Sequence, residues 1–384
     1  MQSTESSVSA SYVAVLGLLT LATAMGIGRF AFTPLLPLMQ KEYGVTLAQG
    51  AWLATSNYLG YFMGAAASFA LAPKPGASVR YALVVVAATT AAMAVTESHW
   101  MWLCLRFAAG VASAFALIGA SAWTLSRLSE RGCANLSGRV FSGVGVGIVL
   151  AGAVALGTAG FAHGATAAWL LLGGCAALVA ILGWPRLTDS SVPQGKSAET
   201  REPRLRSPDW WLIVCYGAFG FGYIIPATFI PAMASQLVDD PWIFGWAWPF
   251  FGAAAAASTV LVTRLFQNTP PRTVMMWSLL VMAAGVQLPA TTRSMAMIIA
   301  ASLCVGGTFM VMTMAGFQEA RRLSSIAPGR LIAAMTAAFA IGQLIGPMLV
   351  GLSSRAGDAI ATPSFVAFVV LIATATVLRY GPRR

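Results

Sequence analysis

Apolar residues run through this chain in long blocks separated by short polar stretches. The blocks fall at about residues 11–40, 47–71, 80–97, 100–126, 135–160, 163–184, 209–237, 242–266, 272–290, 294–322, 328–354 and 361–380. A helix needs roughly 20 apolar residues to cross a bilayer. Strands of a membrane barrel instead alternate over about 10 residues, and these runs do not alternate. The pattern predicts an all-α membrane protein with twelve transmembrane helices. Several blocks exceed the minimum, which predicts tilt or bending. One longer polar stretch divides the helices six and six. The predicted layout is a six-helix bundle over 1–184, a cytoplasmic linker over 185–208 and a second six-helix bundle over 209–384. The linker, with its Pro, Ser, Arg and Glu residues, reads as solvated.

Composition agrees with the blocks. The chain of 384 residues is 58% hydrophobic and only 9% charged, against about 25% charged in soluble domains. A net charge of +11 raises the question of nucleic acid. The basic residues are spread thinly over short loops, however, so topology explains them and no nucleic-acid partner is expected. With the N-terminus inside, the inner loops collect nearly all the Lys and Arg, and the outer loops hold only Lys41, Arg293 and Arg355. The excess of basic residues on cytoplasmic loops then places both termini in the cytoplasm. Residues 1–10 lack a basic leader region, so the first apolar run is expected to be retained as a helix.

Cys104, Cys133, Cys175, Cys215 and Cys304 are far apart and form no metal or redox spacing. His99 and His163 fall at predicted helix ends. No metal site, cofactor, phosphate-binding glycine loop or nucleophile–base pair is expected, which argues against an enzyme. No Asp or Glu lies in the middle third of any predicted helix, so a carboxylate proton carrier is absent from mid-membrane.

The exception to the apolar pattern is Arg29, in Gly26-Ile27-Gly28-Arg29-Phe30-Ala31-Phe32-Thr33-Pro34. An arginine at membrane depth costs roughly 2.5–3.5 kcal/mol on insertion scales, so it is expected to turn inward. Two roles fit it: a packing lock onto carbonyls of a neighbouring helix, or a cationic binding site. Arg106 is predicted about 10 Å deep in helix 4 at the helical rise of 1.5 Å per residue, comparable to Arg29. It too has two readings, a second cation for a bound anion or a donor to the broken backbone of a neighbouring helix. Asn57 and Tyr61 on helix 2 are one turn apart and share a face, as do Tyr216 and Tyr223 on helix 7. Tyr hydroxyls at membrane depth want partners. Gln343 on helix 11 has the chemistry to bond a substrate or bridge helices. Trp246 and Trp248 are expected in the outer aromatic belt, and Glu319 beside Arg321 or Arg322.

Small residues four apart let helices approach closely. Gly60-Gly64, Gly143-Gly147 and Gly342-Gly346 fit, and with Pro347 they are the predicted gating and packing positions. An internal repeat is also present. At an offset of 194, Gly26, Gly28, Pro37 and Met39 fall on Gly220, Gly222, Pro231 and Met233, and Arg29 falls on Tyr223. Two related halves of this kind place a substrate site at their interface near mid-membrane.

Two six-helix halves joined by a basic linker resemble the major facilitator superfamily. Arg106-Phe107-Ala108-Ala109-Gly110 is similar to its helix-4 arginine–glycine motif. The stretch Gly28–Pro37, Ser56-Asn57-Tyr58-Leu59-Gly60-Tyr61, Gly220–Phe229 and Gly342-Gln343-Leu344-Ile345-Gly346-Pro347 resemble the YbfB/YjiJ-like family of bacterial transporters. The resemblance implies the major facilitator fold, a multi-pass protein of the bacterial cytoplasmic (inner) membrane, and a monomer in the lipid bilayer. Two departures stand out. The helix 2–3 loop, Ala72 to Arg80, carries no acid for the superfamily's usual charge lock. Helix 5 lacks the proline of the usual antiporter motif.

The expectation is a secondary active transporter that moves a small organic anion by alternating access. Arg29 is its principal recognition residue, Arg106 assists, and Asn57, Tyr61, Tyr223 and Gln343 orient the substrate. Efflux of neutral or amphipathic compounds is the alternative within transport. A receptor or scaffold is the alternative outside it.

Overall fold

The computed structural model describes residues 9–189, 207–237, 246–291, 294–323, 328–355 and 361–380, without side chains at 47, 207–208, 228–237, 347–348 and 350–355. Most of the predicted linker (190–206) and the side chain of Pro347 therefore lie outside the described residues. Among these residues all regular structure is helical. The helices are α1 (Ala10–Leu21), a π-helical segment (Ala22–Phe30), α2 (Phe32–Tyr43), α3 (Leu47–Leu71), α4 (Pro75–Ala92), α5 (His99–Glu130), α6 (Ser137–Thr158) and α7 (Gly164–Gly183). They continue with α8 (Ser207–Leu237), α9 (Ala247–Leu265), α10 (Pro271–Thr291), α11 (Met295–Leu323), α12 (Pro328–Arg355) and α13 (Ala361–Tyr380).

Each apolar block overlaps a helix. Nine helical stretches among the described residues are long and apolar enough to cross a membrane; α3, α4 and α9 fall short of that measure. These three are diluted by small and polar residues such as Ser56, Asn57, Gly60, Thr89, Ser258 and Thr259, and all three pack among the other nine. Large apolar side chains, including Trp52, Tyr81, Trp100, Leu170, Ile181 and Trp277, face outward. Soluble monomers rarely expose such continuous apolar surface.

Local signals set the helix ends. The Tyr12 N–H donates to the N-cap Ser9 hydroxyl at 3.2 Å. Thr46 and Gln49 form a reciprocal capping box at the start of α3. Gly44, at φ +66°, closes α2 in the left-handed region. Two helix starts are capped from afar. The Glu42 carboxylate accepts from the Ala165 N–H at 2.6 Å at the start of α7. The Asp189 carboxylate accepts from the Gly76 and Ala77 N–H groups at 2.6 and 2.9 Å at the start of α4. An anion at a helix N-terminus satisfies orphan donors and meets the positive end of the dipole.

The Asp189 contact corrects one expectation and adds to another. The linker is not solvated at its start: Leu187 is buried, and the Thr188 carbonyl accepts from Trp123 Nε1 and Arg127 Nη2. The loop before α4 has no acid of its own, but one reaches it from 113 positions away. Helix α4 itself starts at Pro75 rather than residue 80, because a proline at the first helical position needs no partner for a missing N–H.

The first apolar block is not one helix. Its middle winds as π-helix over nine residues. Glycine contacts explain how this segment fits. A Cβ on Gly26 would strike the Gly147 backbone, and one on Gly147 would strike Ala22. The π segment thus crosses α6 backbone to backbone. Gly143 meets Leu18, Gly60 and Gly64 meet Phe107 and Val111 of α5, and Gly342 meets Gly217 and Phe221 of α8. Gly346 abuts Ile224. All six predicted packing glycines thus join helices on the same side of the linker. The seam between residues before 190 and those after 206 is made by α6 on α9 and α3 on α12, where Gly145 and Gly252 allow the approach.

Candidate functional site

The site is built on the π segment. A π turn is a common feature of functional positions and frees carbonyls from the regular ladder. Side chains of neighbouring helices take three of these. The Ser113 hydroxyl donates to Ala24 O at 2.6 Å. Arg106 Nη1 donates to Gly28 O at 3.3 Å and Nη2 to Arg29 O at 3.1 Å. Asn57 Nδ2 lies 3.5 Å from Gly28 O and donates to Arg106 O at 2.9 Å. Non-helical backbone at membrane depth survives only where such partners exist. Arg106 and Asn57 are buried. Of the two roles open to Arg106, these are the bonds of the backbone-holding one.

Arg29 is differently placed. It is 3% exposed, and its Nη2 donates to the side-chain carbonyl of Gln343 on α12. Its Nε and Nη1 have no hydrogen-bond partner. Its guanidinium carbon lies 3.9 Å from the centroid of the Tyr61 ring, with Phe30, Tyr58 and Phe339 at 5.4, 5.6 and 5.8 Å. Among the described residues no carboxylate lies within ion-pair distance of it; Glu42 lies 3.7 Å from His163 and Glu319 3.8 Å from Arg322. A cation held over ring faces is stabilised by the ring quadrupoles, which partly replaces the missing counter-charge.

Arg29, Tyr61 and Gln343 are thus brought together. Tyr223 joins them through rings, stacking on Phe309 at 5.0 Å and Phe339 at 5.9 Å. Its hydroxyl is buried without a partner. Tyr216 shares this wall, 5.5 Å from Phe339. Trp246 is half exposed, but Trp248 is not a belt residue. It is buried, stacks on Phe251 at 5.2 Å and stands 6.4 Å from Phe30, because the end of α9 turns this face into the seam. Glu319 lies 3.8 Å from Arg322, as expected. Phe30, Phe309 and Phe339 do not stand out in the sequence, where they are three of 20 phenylalanines. Phe339 carried one signal, its place a single turn before Gln343.

The arrangement offers a buried cation, unpartnered donors and ring faces; among the described residues there is no group of metal ligands. A cavity of about 560 Å³ lined by Trp211, Arg272, Glu319 and Arg322 lies among the ends of α8, α10, α11 and α13 and is separate from these residues. No curated protein matches the chain. The family described as "uncharacterised MFS-type transporter YbfB" matches residues 21–379, so the chain belongs to that family and is a multi-pass membrane transporter of the major facilitator type.

Proposed function

We propose that this transporter moves a small organic anion by alternating access between two six-helix halves, with Arg29 as the recognition residue. The observation that carries this reading is the buried Arg29 guanidinium, which has donors to spare and no carboxylate partner among the described residues. A buried charge is expensive unless paired, and an anionic substrate supplies the pair. The planar fork suits a carboxylate.

The remaining residues have supporting places. Arg106 and Asn57 hold the π segment that aims Arg29. Tyr61 backs the guanidinium, and Gln343 and Tyr223 present polar atoms from across the seam. Twelve spans fit, since α3, α4 and α9 pack among the nine that qualify by length and hydropathy. The basic loops favour a cytoplasmic location for both termini, and the family's bacterial members favour the inner membrane. The interior-negative potential opposes anion entry by about 2.3 kcal/mol per charge per 100 mV, so export or exchange is the simpler direction. A monomer in the bilayer completes the proposal.

The test is uptake or counterflow of labelled carboxylates in proteoliposomes, for wild type and Arg29→Gln. Carboxylate flux lost in the variant supports the proposal. Flux of neutral amphiphiles that the variant leaves unchanged would replace it with efflux of uncharged compounds, a reading favoured by the aromatic lining.

A further inference from the structure

Resting on Arg29 as an anion site, we infer that the anion is an aromatic monocarboxylate, bound with its carboxylate on Arg29 and its ring between Phe30 and the Phe309–Tyr223–Phe339 wall.

The first observation is a closed circuit. Arg29 is 5.4 Å from the Phe30 ring and Phe30 is 5.9 Å from Phe309. Phe309 stacks on Tyr223 at 5.0 Å, Tyr223 on Phe339 at 5.9 Å, and Phe339 returns to Arg29 at 5.8 Å. One charge and four rings, all buried, thus contact one another in a closed sequence. Two of its contacts, Phe30 on Phe309 and Arg29 on Phe339, cross the seam. So does the Arg29–Gln343 hydrogen bond.

Alternating access must break contacts across the seam. When they part, Phe30 loses a ring, and Phe309 and Phe339 lose a ring and a cation. Arg29 loses a carbonyl oxygen. The ligand that gives each wall what the opposite wall gives now carries one aromatic face and one oxygen acceptor. An aliphatic acid replaces the oxygen but leaves the ring faces unmatched, and aromatic pairs are favoured beyond their area.

The second observation is the sign of the unpartnered polar atoms. Arg29 Nε and Nη1, Gln343 Nε2 and Trp248 Nε1 are all donors, and the Tyr223 hydroxyl is free to donate. Among the described residues nearby, Asn57 Oδ1 is the one orphan that can only accept. A donor-rich site wants an acceptor-rich ligand. The third observation limits its charge. Both terminal nitrogens of Arg106 are committed to backbone carbonyls and only its Nε is unpartnered, so among the described residues near this place Arg29 is the guanidinium with a terminal nitrogen to offer, and a second carboxylate has no such fork to meet.

The experiment is binding to detergent-purified full-length protein, by thermal shift and calorimetry. The probes are benzoate, cyclohexanecarboxylate, acetate and benzamide. Benzoate is expected to bind about tenfold tighter than cyclohexanecarboxylate, the size expected of stacked ring faces, and benzamide and acetate more weakly still. Phe309→Leu should lower benzoate affinity to the level of cyclohexanecarboxylate and leave the latter unchanged. If all three carboxylates bind alike and all are lost in Arg29→Gln, the aromatic inference is overturned and the anion site stands. If benzamide binds as tightly as benzoate, or none of the four binds, the anion site falls as well. The comparison of benzoate with benzamide needs only wild type, so a poorly folding Arg29 variant does not decide the outcome.

Discussion

The Arg29 guanidinium donates to the side-chain carbonyl of Gln343, a residue 314 positions away. The contact joins the π segment to α12 across the seam, where a substrate anion would have to insert. Gln343 stands where the proposed carboxylate would stand, with a weaker acceptor.

Gln343→Glu tests that placement. A glutamate would meet Arg29 with a full charge in a poorly screened site. It should hold the seam closed and weaken anion binding by more than tenfold, whereas Gln343→Ala should leave binding intact or tighter. Anion titrations of the two variants decide it. A glutamate variant that binds like wild type would show that the anion does not displace Gln343.

Arg106 should behave as a positioning residue. Its fork spans the carbonyls of Gly28 and Arg29, and a lysine cannot span both. Arg106→Lys is expected to cost about 1.5–3 kcal/mol, the range for hydrogen bonds to charged groups. It should lower the melting temperature whether or not ligand is present. If it left the melting temperature unchanged and abolished only anion binding, Arg106 would be a direct ligand.

Glycine substitutions separate close crossings from open surface. Gly143→Ala and Gly60→Ala place a Cβ against the backbones of Leu18 and Phe107, and each should cost about 1–3 kcal/mol as overpacking does. A Cβ added at Gly174 would meet nothing within 4 Å, so Gly174→Ala should be neutral or slightly stabilising through helix propensity. Thermal melts of the three variants give the comparison.

Glu42 gives a pH signature outside the membrane-spanning helices. Burial by itself raises its carboxyl, but the Thr166 and Tyr43 hydroxyls and the N–H groups of Ala165 and Thr166 outweigh burial and hold it below its ordinary 4.5. Its folded form therefore prefers the carboxylate. The stabilisation is complete above the ordinary value and fades as pH falls through the lowered one. Glu42→Gln should melt below wild type at neutral pH, and the gap should close on acidification below about 4. A gap that persists unchanged at low pH would assign the loss to packing.

The helices were legible because apolar length is a local property, and each block overlaps a helix. Arg29, Arg106, Asn57, Tyr61, Tyr223 and Gln343 were legible as polar exceptions to that pattern. Their pairings were not. Nothing local ties Arg29 to Gln343 or Asp189 to Gly76, because both contacts depend on how distant helices meet. The π winding of Ala22–Phe30 was hidden as well, since it comes from the crossing with Gly147 and the donors of Ser113 and Arg106 rather than from a breaker residue. Phe309 was invisible, and Phe339 nearly so but for its place one turn before Gln343, because a ring in an apolar run looks the same whether it faces lipid or a cation.

The cations at Arg29 also have an electrical consequence. Arg29 and the neighbouring Arg106 give the empty site two buried positive charges, and a bound monoanion cancels one of them. Voltage then acts more strongly on the empty transporter than on the loaded one. An interior-negative potential favours the empty form whose Arg29 communicates with the interior, by a fraction of about 2.3 kcal/mol per 100 mV set by how far the field shifts around it. Reorientation without ligand should produce a measurable charge displacement after a voltage step, and saturating anion should reduce it.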